Sequence, residues 1–164
     1  MIRSIKVYNR FHMELIAGRM EKPPCNHWHL ISIYETTCFP FLTFDVKLRL
    51  ENQAFMDKSI SLSFDDITLA DYETLKIVYP DLILFNRGHA REIIDFIKQV
   101  NSETEPSMLV IHCRAGISRS GAVALFAAVK LGIEFSDPYI RPNQWMLKIL
   151  NEEYNYEDNG KDIN

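Results

Sequence analysis

Residues 108–121, MLVIHCRAGISRSG, join a strand-like run to a helix-like run. The segment 108–111 is continuously apolar, as expected of a strand that is covered on both faces. The chain then passes through His112, Cys113 and Arg114, turns at Gly116, and enters an Ala-rich segment typical of a buried helix. This order predicts a central strand, a tight loop and a helix, with a thiol where the strand ends.

The rest of the chain extends this pattern into an α/β fold. Further strand-like runs lie at residues 2–8, 28–34, 45–50 and 59–64, several with apolar residues at every second position. Helix-like runs lie at residues 88–100, 118–132 and 144–154, and Gly132 is placed as the C-cap of the second. We therefore predict a central, mainly parallel sheet of about five strands flanked by helices. Residues 1–154 are expected to form a single domain, and residues 155–164 a flexible tail.

Composition limits the environment and the partners of the protein. The chain has 164 residues and three cysteines (Cys25, Cys38 and Cys113), an odd number that argues against a disulfide scaffold and for a reducing compartment. No run approaches the roughly 20 apolar residues that span a bilayer. The net charge of −4 gives no general attraction to nucleic acid or anionic membranes. We expect a cytoplasmic monomer without a membrane span.

The loop after the strand has the residues of an anion site built around a nucleophile. Backbone N–H groups converge where a tight loop meets a helix N-terminus, and they bind oxyanions there. Gly116 permits a positive φ, and the small Ala115 and Ser118 leave room for a tetrahedral anion. The same N–H groups and the helix dipole would favour a thiolate at Cys113, which is a nucleophile at neutral pH. Arg119 can bind two oxygens of a phosphate with its planar guanidinium.

The segment HCRAGISRSG, residues 112–121, resembles the signature loop of the cysteine-dependent protein tyrosine phosphatases, in which His-Cys, five residues and Arg-Ser follow one another. Its small residues look most like those of the dual-specificity branch. RPNQWMLKILNEEY, residues 141–154, is similar to the segment that closes dual-specificity domains, and residues 84–97 fall where those domains have the helix before the central strand. The resemblance covers roughly residues 59–154 and implies a protein tyrosine phosphatase-like fold.

The resemblance also implies a mechanism. In the family, the loop cysteine attacks phosphorus to give a phosphocysteine that water hydrolyses, while an aspartate protonates the leaving oxygen and then activates the water. By motif position Cys113 is the nucleophile, Arg119 the phosphate clamp, Ser120 the donor to the departing thiolate, and His112 the residue that orients the loop. The implied phosphate cradle consists of Arg114, Ala115, Gly116, Ile117, Ser118 and Arg119. No metal and no cofactor are expected.

Three aspartates are candidates for the general acid. Asp66 is preferred because in a regular strand it would lie on the same side as Leu62 and Phe64. Asp65, the second choice, would face the other way. Asp66 lies 47 residues before Cys113, whereas the family usually has its acid about thirty before. By that spacing Asp81 fits better, but the preceding Pro80 favours a turn there. We interpret residues 68–81 as an insertion that shapes the rim of the pocket.

The substrate is predicted less sharply than the chemistry. A phosphorylated protein, with phosphotyrosine or dual specificity, is the first expectation. Because Arg114 would point outward and favour additional negative charge, a lipid, inositol phosphate, nucleotide or RNA 5′-end phosphate is an alternative. A phosphate-binding module without turnover, or sulfur transfer on a rhodanese-like domain, would use a similar loop.

Two smaller patterns involve the other cysteines. Cys25, His27 and His29 alternate along one predicted strand, but no fourth ligand lies nearby in sequence, so we predict no zinc site. Cys25 or Cys38 would be a partner for an oxidised Cys113 in a reversible disulfide.

Overall fold

The computed structural model describes residues 1–19, 27–36 and 56–160 of the chain. The described strands are β1 (Ile2–Asn9), β2 (His27–Tyr34), β3 (Lys58–Ser63) and β4 (Ser107–Cys113). The described helices are α1 (Arg10–Arg19), α2 (Leu69–Leu75), α3 (Arg87–Asn101), α4 (Arg119–Leu131) and α5 (Gln144–Gly160).

The four described strands form one sheet in the order β1-β4-β2-β3, and every pairing is parallel. Strand β4 lies between β1 and β2, and each of its seven residues is buried. The prediction of a central strand covered on both faces is therefore confirmed. Because the strands are parallel, their carboxyl ends meet at one edge of the sheet, which is where α/β proteins place their sites.

Helices cover both faces of the sheet, and the two faces have separate cores. One core holds alternate residues of β4, Leu109, Ile111 and Cys113, against α3, α4 and α5. The other core holds Met108 and Val110 with residues of β2 and Met13 of α1. The thiol thus shares the face of the sheet that α4 covers.

The predicted α/β class is confirmed, with differences at the edges. Four of the five predicted strands are present, and the fifth, at residues 45–50, lies outside the described residues. Helix α4 ends as predicted at Gly132, which adopts φ 65° in the left-handed region. Helices α1 and α2 were not predicted. Helix α5 continues to Gly160, beyond the domain boundary predicted at residue 154, and residues 161–164 lie outside the described part.

The insertion at residues 68–81 begins with α2. Thr68 and Asp71 form a capping box, in which the Thr68 hydroxyl accepts from the Asp71 N–H and the Asp71 carboxylate accepts from the Thr68 N–H. None of the helices in the described ranges is both long and apolar enough to cross a membrane.

Candidate active site

The loop between β4 and α4 lies at the carboxyl edge of the sheet and rests on the end of β1. Gly116 has φ 69°, which confirms the predicted positive φ. A Cβ at this position would come within 2.6 Å of the Asn9 backbone nitrogen. The Arg10 N–H donates to the Arg114 carbonyl at 3.2 Å. Only glycine fits this turn, because both its conformation and its closeness to β1 exclude a side chain.

The N-terminus of α4 has no side-chain cap. Ser118 occupies the N-cap position, but its hydroxyl makes no capping hydrogen bond to the helix. The first N–H groups of an α-helix have no partner within the helix, so an uncapped start leaves donors for an anion. This arrangement agrees with the cradle predicted for residues 114–119.

Cys113 lies at the base of the loop with a hydroxyl beside it. The thiol is 1 % exposed, and its Sγ lies 3.1 Å from the Oγ of Ser120 in the first turn of α4. A hydroxyl at this distance can donate to a thiolate. The structure thus brings together the predicted nucleophile and the predicted donor.

The Arg119 guanidinium is buried and held by the ends of two strands. Its Nη1 donates to the Tyr34 carbonyl at 3.2 Å and to the Phe64 carbonyl at 2.9 Å. Its Nη2 donates to Glu35 Oε1 at 2.9 Å. The Nε is buried and has no hydrogen-bond partner within the described ranges. Arg119 is thereby fixed at the carboxyl edge, and these three bonds leave two of its five N–H groups, the Nε–H and one Nη2–H, for a ligand.

Glu35 was missed by the sequence analysis and is central to the charge balance. Besides Arg119, it pairs with Arg114, whose Nη1 lies 3.2 Å from Glu35 Oε2. The outward positive charge predicted for Arg114 is therefore partly offset by a carboxylate that it shares with Arg119. A polar residue directly after the end of β2 was the available signal, because parallel strands bring such positions to one edge.

Asp66 lies over the loop, as preferred in the sequence analysis. Its Oδ1 accepts from Ser118 Oγ at 2.7 Å and from Asn143 Nδ2 at 3.0 Å. Its Oδ2 lies 3.9 Å from Arg119 Nε. Of the three candidate aspartates, Asp66 is therefore the one with side-chain contacts to Ser118 and Arg119 of the cradle.

Asp65 is buried and bound to backbone instead. Its carboxylate accepts from the N–H and hydroxyl of Thr36 and from the Ile83 N–H at 3.0 Å. These contacts join the end of β2 to the segment after the insertion. The alternation used to choose between the two aspartates does not hold, because β3 ends at Ser63 and both Phe64 and Asp65 are buried.

A cavity of about 430 Å³ opens beside the loop. It is lined by Glu35, Thr36, Asp65, Asp66, Ile67, Leu75, Val78, Tyr79, Pro80, Asp81, Leu82 and Arg114. The insertion at residues 68–81 thus supplies much of the wall, as expected. Asp81 is exposed on this wall, in the predicted turn, and none of its contacts in the described ranges reaches the loop.

His112 is buried within the sheet beneath the loop. Its Nε2 lies 2.9 Å from Ser32 Oγ, and its ring packs edge-on against Tyr34. Burial lowers the pKa of His112 to about 4, and the charges of Arg10 and Arg119 add to this shift. The imidazole is therefore neutral at pH 7.

This shift predicts that stability falls with acid between pH 6.5 and 4. Over that range the unfolded state protonates its histidine while the native state does not, so up to about 3 kcal/mol is lost. Urea unfolding of His112→Gln between pH 7 and 4 should show a correspondingly smaller decline than wild type. The same substitution at the exposed His12 is the matched control. An equal decline in wild type and His112→Gln would contradict the prediction.

Some sequence predictions lie outside the described residues. Cys25 and Cys38 are among them, so the redox prediction stays a prediction. His27 Nδ1 lies 3.1 Å from Asp57 Oδ2, and His29 Nε2 lies 3.1 Å from Glu103 Oε2. Within the described ranges, no group of three His, Cys, Asp or Glu side chains could hold a metal ion.

Comparison with known proteins finds a family match in one part of the chain, residues 85–145. The family model for the protein-tyrosine phosphatase matches residues 85–145, which include α3, β4, the loop and α4. No curated protein and no solved structure matches the chain. The family match supports a cysteine-dependent phosphatase. It confirms the resemblance to the cysteine-dependent protein tyrosine phosphatase superfamily, over the segment that carries Cys113 and Arg119.

Proposed function

We propose that the protein hydrolyses phosphomonoesters through a phosphocysteine on Cys113, acting on phosphotyrosine or with dual specificity on phosphorylated proteins. The observation that carries the proposal is the convergence on one loop of a thiol, a buried guanidinium with a free donor, and a carboxylate. In the first step the Cys113 thiolate attacks phosphorus, the ester P–O bond breaks, and Asp66 gives its proton to the leaving oxygen. In the second step Asp66 takes a proton from water as the water displaces the thiolate, to which Ser120 donates.

The cavity beside the loop supports a phosphorylated protein as the substrate, rather than a molecule that carries further phosphates. Its wall includes Leu75, Val78 and Tyr79, which suit an aromatic ring and the peptide that bears it. Glu35, which also pairs with Arg119, reduces the positive charge that Arg114 offers a second phosphate at the rim. A lipid, an inositol phosphate, a nucleotide or an RNA 5′ end would be favoured by such a charge, so these alternatives are less well supported. We place the protein in the cytoplasm as a monomer without cofactor, on the sequence grounds given above.

Replacing each aspartate tests the general acid. With para-nitrophenyl phosphate, EDTA present and pH varied from 5 to 8, Asp66→Asn should lower kcat by about 10²-fold or more. Asp81→Asn is the matched control and should stay within about threefold of wild type, because Asp81 is exposed on the cavity wall and Asp66 is the aspartate that contacts the loop.

Asp65→Asn should instead lower stability by about 2 kcal/mol, because an amide cannot accept from all the donors around that buried carboxylate. Its thermal unfolding measures this loss.

A large fall in kcat for Asp81→Asn, with Asp66→Asn unchanged, would give the acid role to Asp81. Tight binding of inorganic phosphate without any turnover by wild type would establish the binding module.

A further inference from the structure

The leaving group of a bound substrate would project into the cavity beside the loop. Asp66, the proposed general acid, lines this cavity and also accepts from Ser118 Oγ at 2.7 Å. An acid has to lie within hydrogen-bond distance of the leaving oxygen, so the group that this oxygen carries passes Asp66 on the cavity side. Arg114, the first residue of the loop, lines the same cavity. The part of the substrate next to the phosphate is therefore expected to contact the cavity wall.

One side of the cavity is an apolar surface that the insertion provides. We call Leu75, Val78 and Tyr79 the insertion wall, because all three line the cavity. Val78 is 66 % exposed and Tyr79 is 37 % exposed, so the protein itself leaves much of this surface uncovered. Exposed apolar side chains that lie together in a concave site are typical of a surface that binds a ligand. The insertion wall is thus available for contact with a substrate.

The insertion is closed at its base, which fixes the insertion wall. The Asp65 N–H donates to the Ile83 carbonyl at 2.9 Å, and the Ile83 N–H donates to Asp65 Oδ2 at 3.0 Å. Within the insertion, the N–H groups of Val78 and Tyr79 both donate to the Leu75 carbonyl, at 3.0 and 2.8 Å. The wall is built on a hydrogen-bonded turn, so it needs little ordering before it binds.

The cavity has room for a side chain beside the phosphorylated one. Its volume of about 430 Å³ is that of a pocket for a drug-sized ligand, which is larger than one aromatic ring. In an extended peptide, a residue one or two positions away lies only about 3–7 Å along the backbone. A residue that flanks the phosphorylated one can therefore reach the insertion wall.

The charges around the cavity disfavour an acidic residue at that place. Carboxylates outnumber guanidiniums among the lining side chains, which include Glu35, Asp65, Asp66 and Asp81 against Arg114. Arg119 adds one positive charge beside Glu35, and a bound phosphate adds further negative charge. Like charges brought together cost affinity, and proteins use this cost to reject wrong partners.

We propose that the insertion wall is a specificity surface, which selects phosphorylated segments with an apolar residue, and against an acidic one, within two positions of the phosphorylated residue. The inference rests on the proposed function, in which the substrate is a phosphorylated protein. The apolar neighbour covers Val78 and the adjoining wall when the phosphate lies in the loop, and this burial favours binding. The loop recognises the phosphate, and the insertion wall recognises the polypeptide that carries it.

The test compares phosphotyrosine peptides by kcat/KM. The parent peptide has alanine at the two positions on each side of the phosphotyrosine, and each derivative places one leucine or one glutamate at one of those positions. We expect leucine at one or more positions to raise kcat/KM about tenfold over the parent, as an apolar side chain in a hydrophobic pocket does. Glutamate at the same position should lower kcat/KM about threefold, and this penalty should shrink as salt rises from about 0.02 to 0.5 M.

Val78→Ser tests whether the insertion wall is the cause of the preference. In this variant the leucine-to-alanine ratio of kcat/KM should fall from about tenfold to about threefold or less. Thermal unfolding should be unchanged, because Val78 is largely exposed. Val129→Ser is the matched control: Val129 is 69 % exposed on α4 and does not line the cavity. The control should keep the wild-type ratio, and a ratio taken within one enzyme cancels any general change in activity.

Two results would overturn the inference. One is a leucine-to-alanine ratio near one at every position, and the other is a preference for leucine that Val78→Ser retains in full. Failure of the proposed function is distinguishable, because every phosphopeptide, the alanine parent included, would then remain intact. That outcome would remove the protein substrate and, with it, the role of the insertion wall.

Discussion

Replacing Cys113 by serine should abolish turnover of para-nitrophenyl phosphate, with kcat lowered by at least about 10⁴-fold. The change replaces one sulfur by one oxygen in a buried position, 1 % exposed, so the loop should keep its shape. The hydroxyl remains protonated at neutral pH and is a far weaker nucleophile than a thiolate. Assays with EDTA present, together with thermal unfolding, measure both properties.

Two further measurements identify the intermediate and the intact cradle. Acid-quenched wild-type enzyme should contain a phosphorylated protein by mass spectrometry, and Cys113→Ser should contain none. Inorganic phosphate should still bind to the variant in calorimetry, because Arg119 and the loop N–H groups are unchanged. Turnover by Cys113→Ser within about tenfold of wild type would mean that another group attacks phosphorus.

The sequence predicted the strand, turn and helix around Cys113 well, because each depends on residues that are close together in the chain. Strand β4, the turn at Gly116 and helix α4 follow one another within 108–131, and each depends on residues a few positions apart. A continuous apolar run, a required positive φ and an Ala-rich helix are all legible in a single segment. The cysteine and the arginine of the motif therefore lie where they were expected to lie.

The contacts that complete the site are not local. Glu35 lies 84 residues from Arg119 in sequence, and the two meet because β2 and β4 pair in parallel and end at the same edge. Asn143 was visible as part of the RPN segment, but its amide contact with Asp66 depends on how α5 docks. Pairing register and helix docking are tertiary properties, so neither contact follows from periodicity.

The choice between the two neighbouring aspartates illustrates the same limit. Strand alternation favoured Asp66 over Asp65, yet both Phe64 and Asp65 are buried because the strand ends at Ser63. What distinguishes the two carboxylates is their partners. Asp65 accepts from the Ile83 N–H, whereas Asp66 accepts from Ser118 in the loop. Those partners are set by the path of the chain after the insertion, which the sequence pattern does not specify.

Substituting Arg119 by lysine should be nearly as damaging as removing the nucleophile, although it preserves the charge. The guanidinium makes three hydrogen bonds at once, to the carbonyls of Tyr34 and Phe64 and to Glu35, and keeps Nε free. An ammonium has three donors without the planar fork, so it cannot hold these partners and also present two donors to a phosphate. We expect kcat/KM for para-nitrophenyl phosphate to fall by about 10³-fold.

The same substitution should also lower stability, and this separates Arg119 from an ordinary surface cation. Leaving a buried carbonyl unpaired costs about 1–3 kcal/mol, so thermal unfolding of Arg119→Lys should occur several degrees below wild type. Arg87→Lys is the matched control: Arg87 is exposed at the start of α3, where its Nε lies 3.9 Å from Glu153. It should leave kcat/KM unchanged, because Arg87 lies outside the loop and a lysine keeps the positive charge beside Glu153. Equal activity in Arg119→Lys and wild type would show that any cation suffices, and phosphate binding would then depend on charge alone and not on the planar guanidinium.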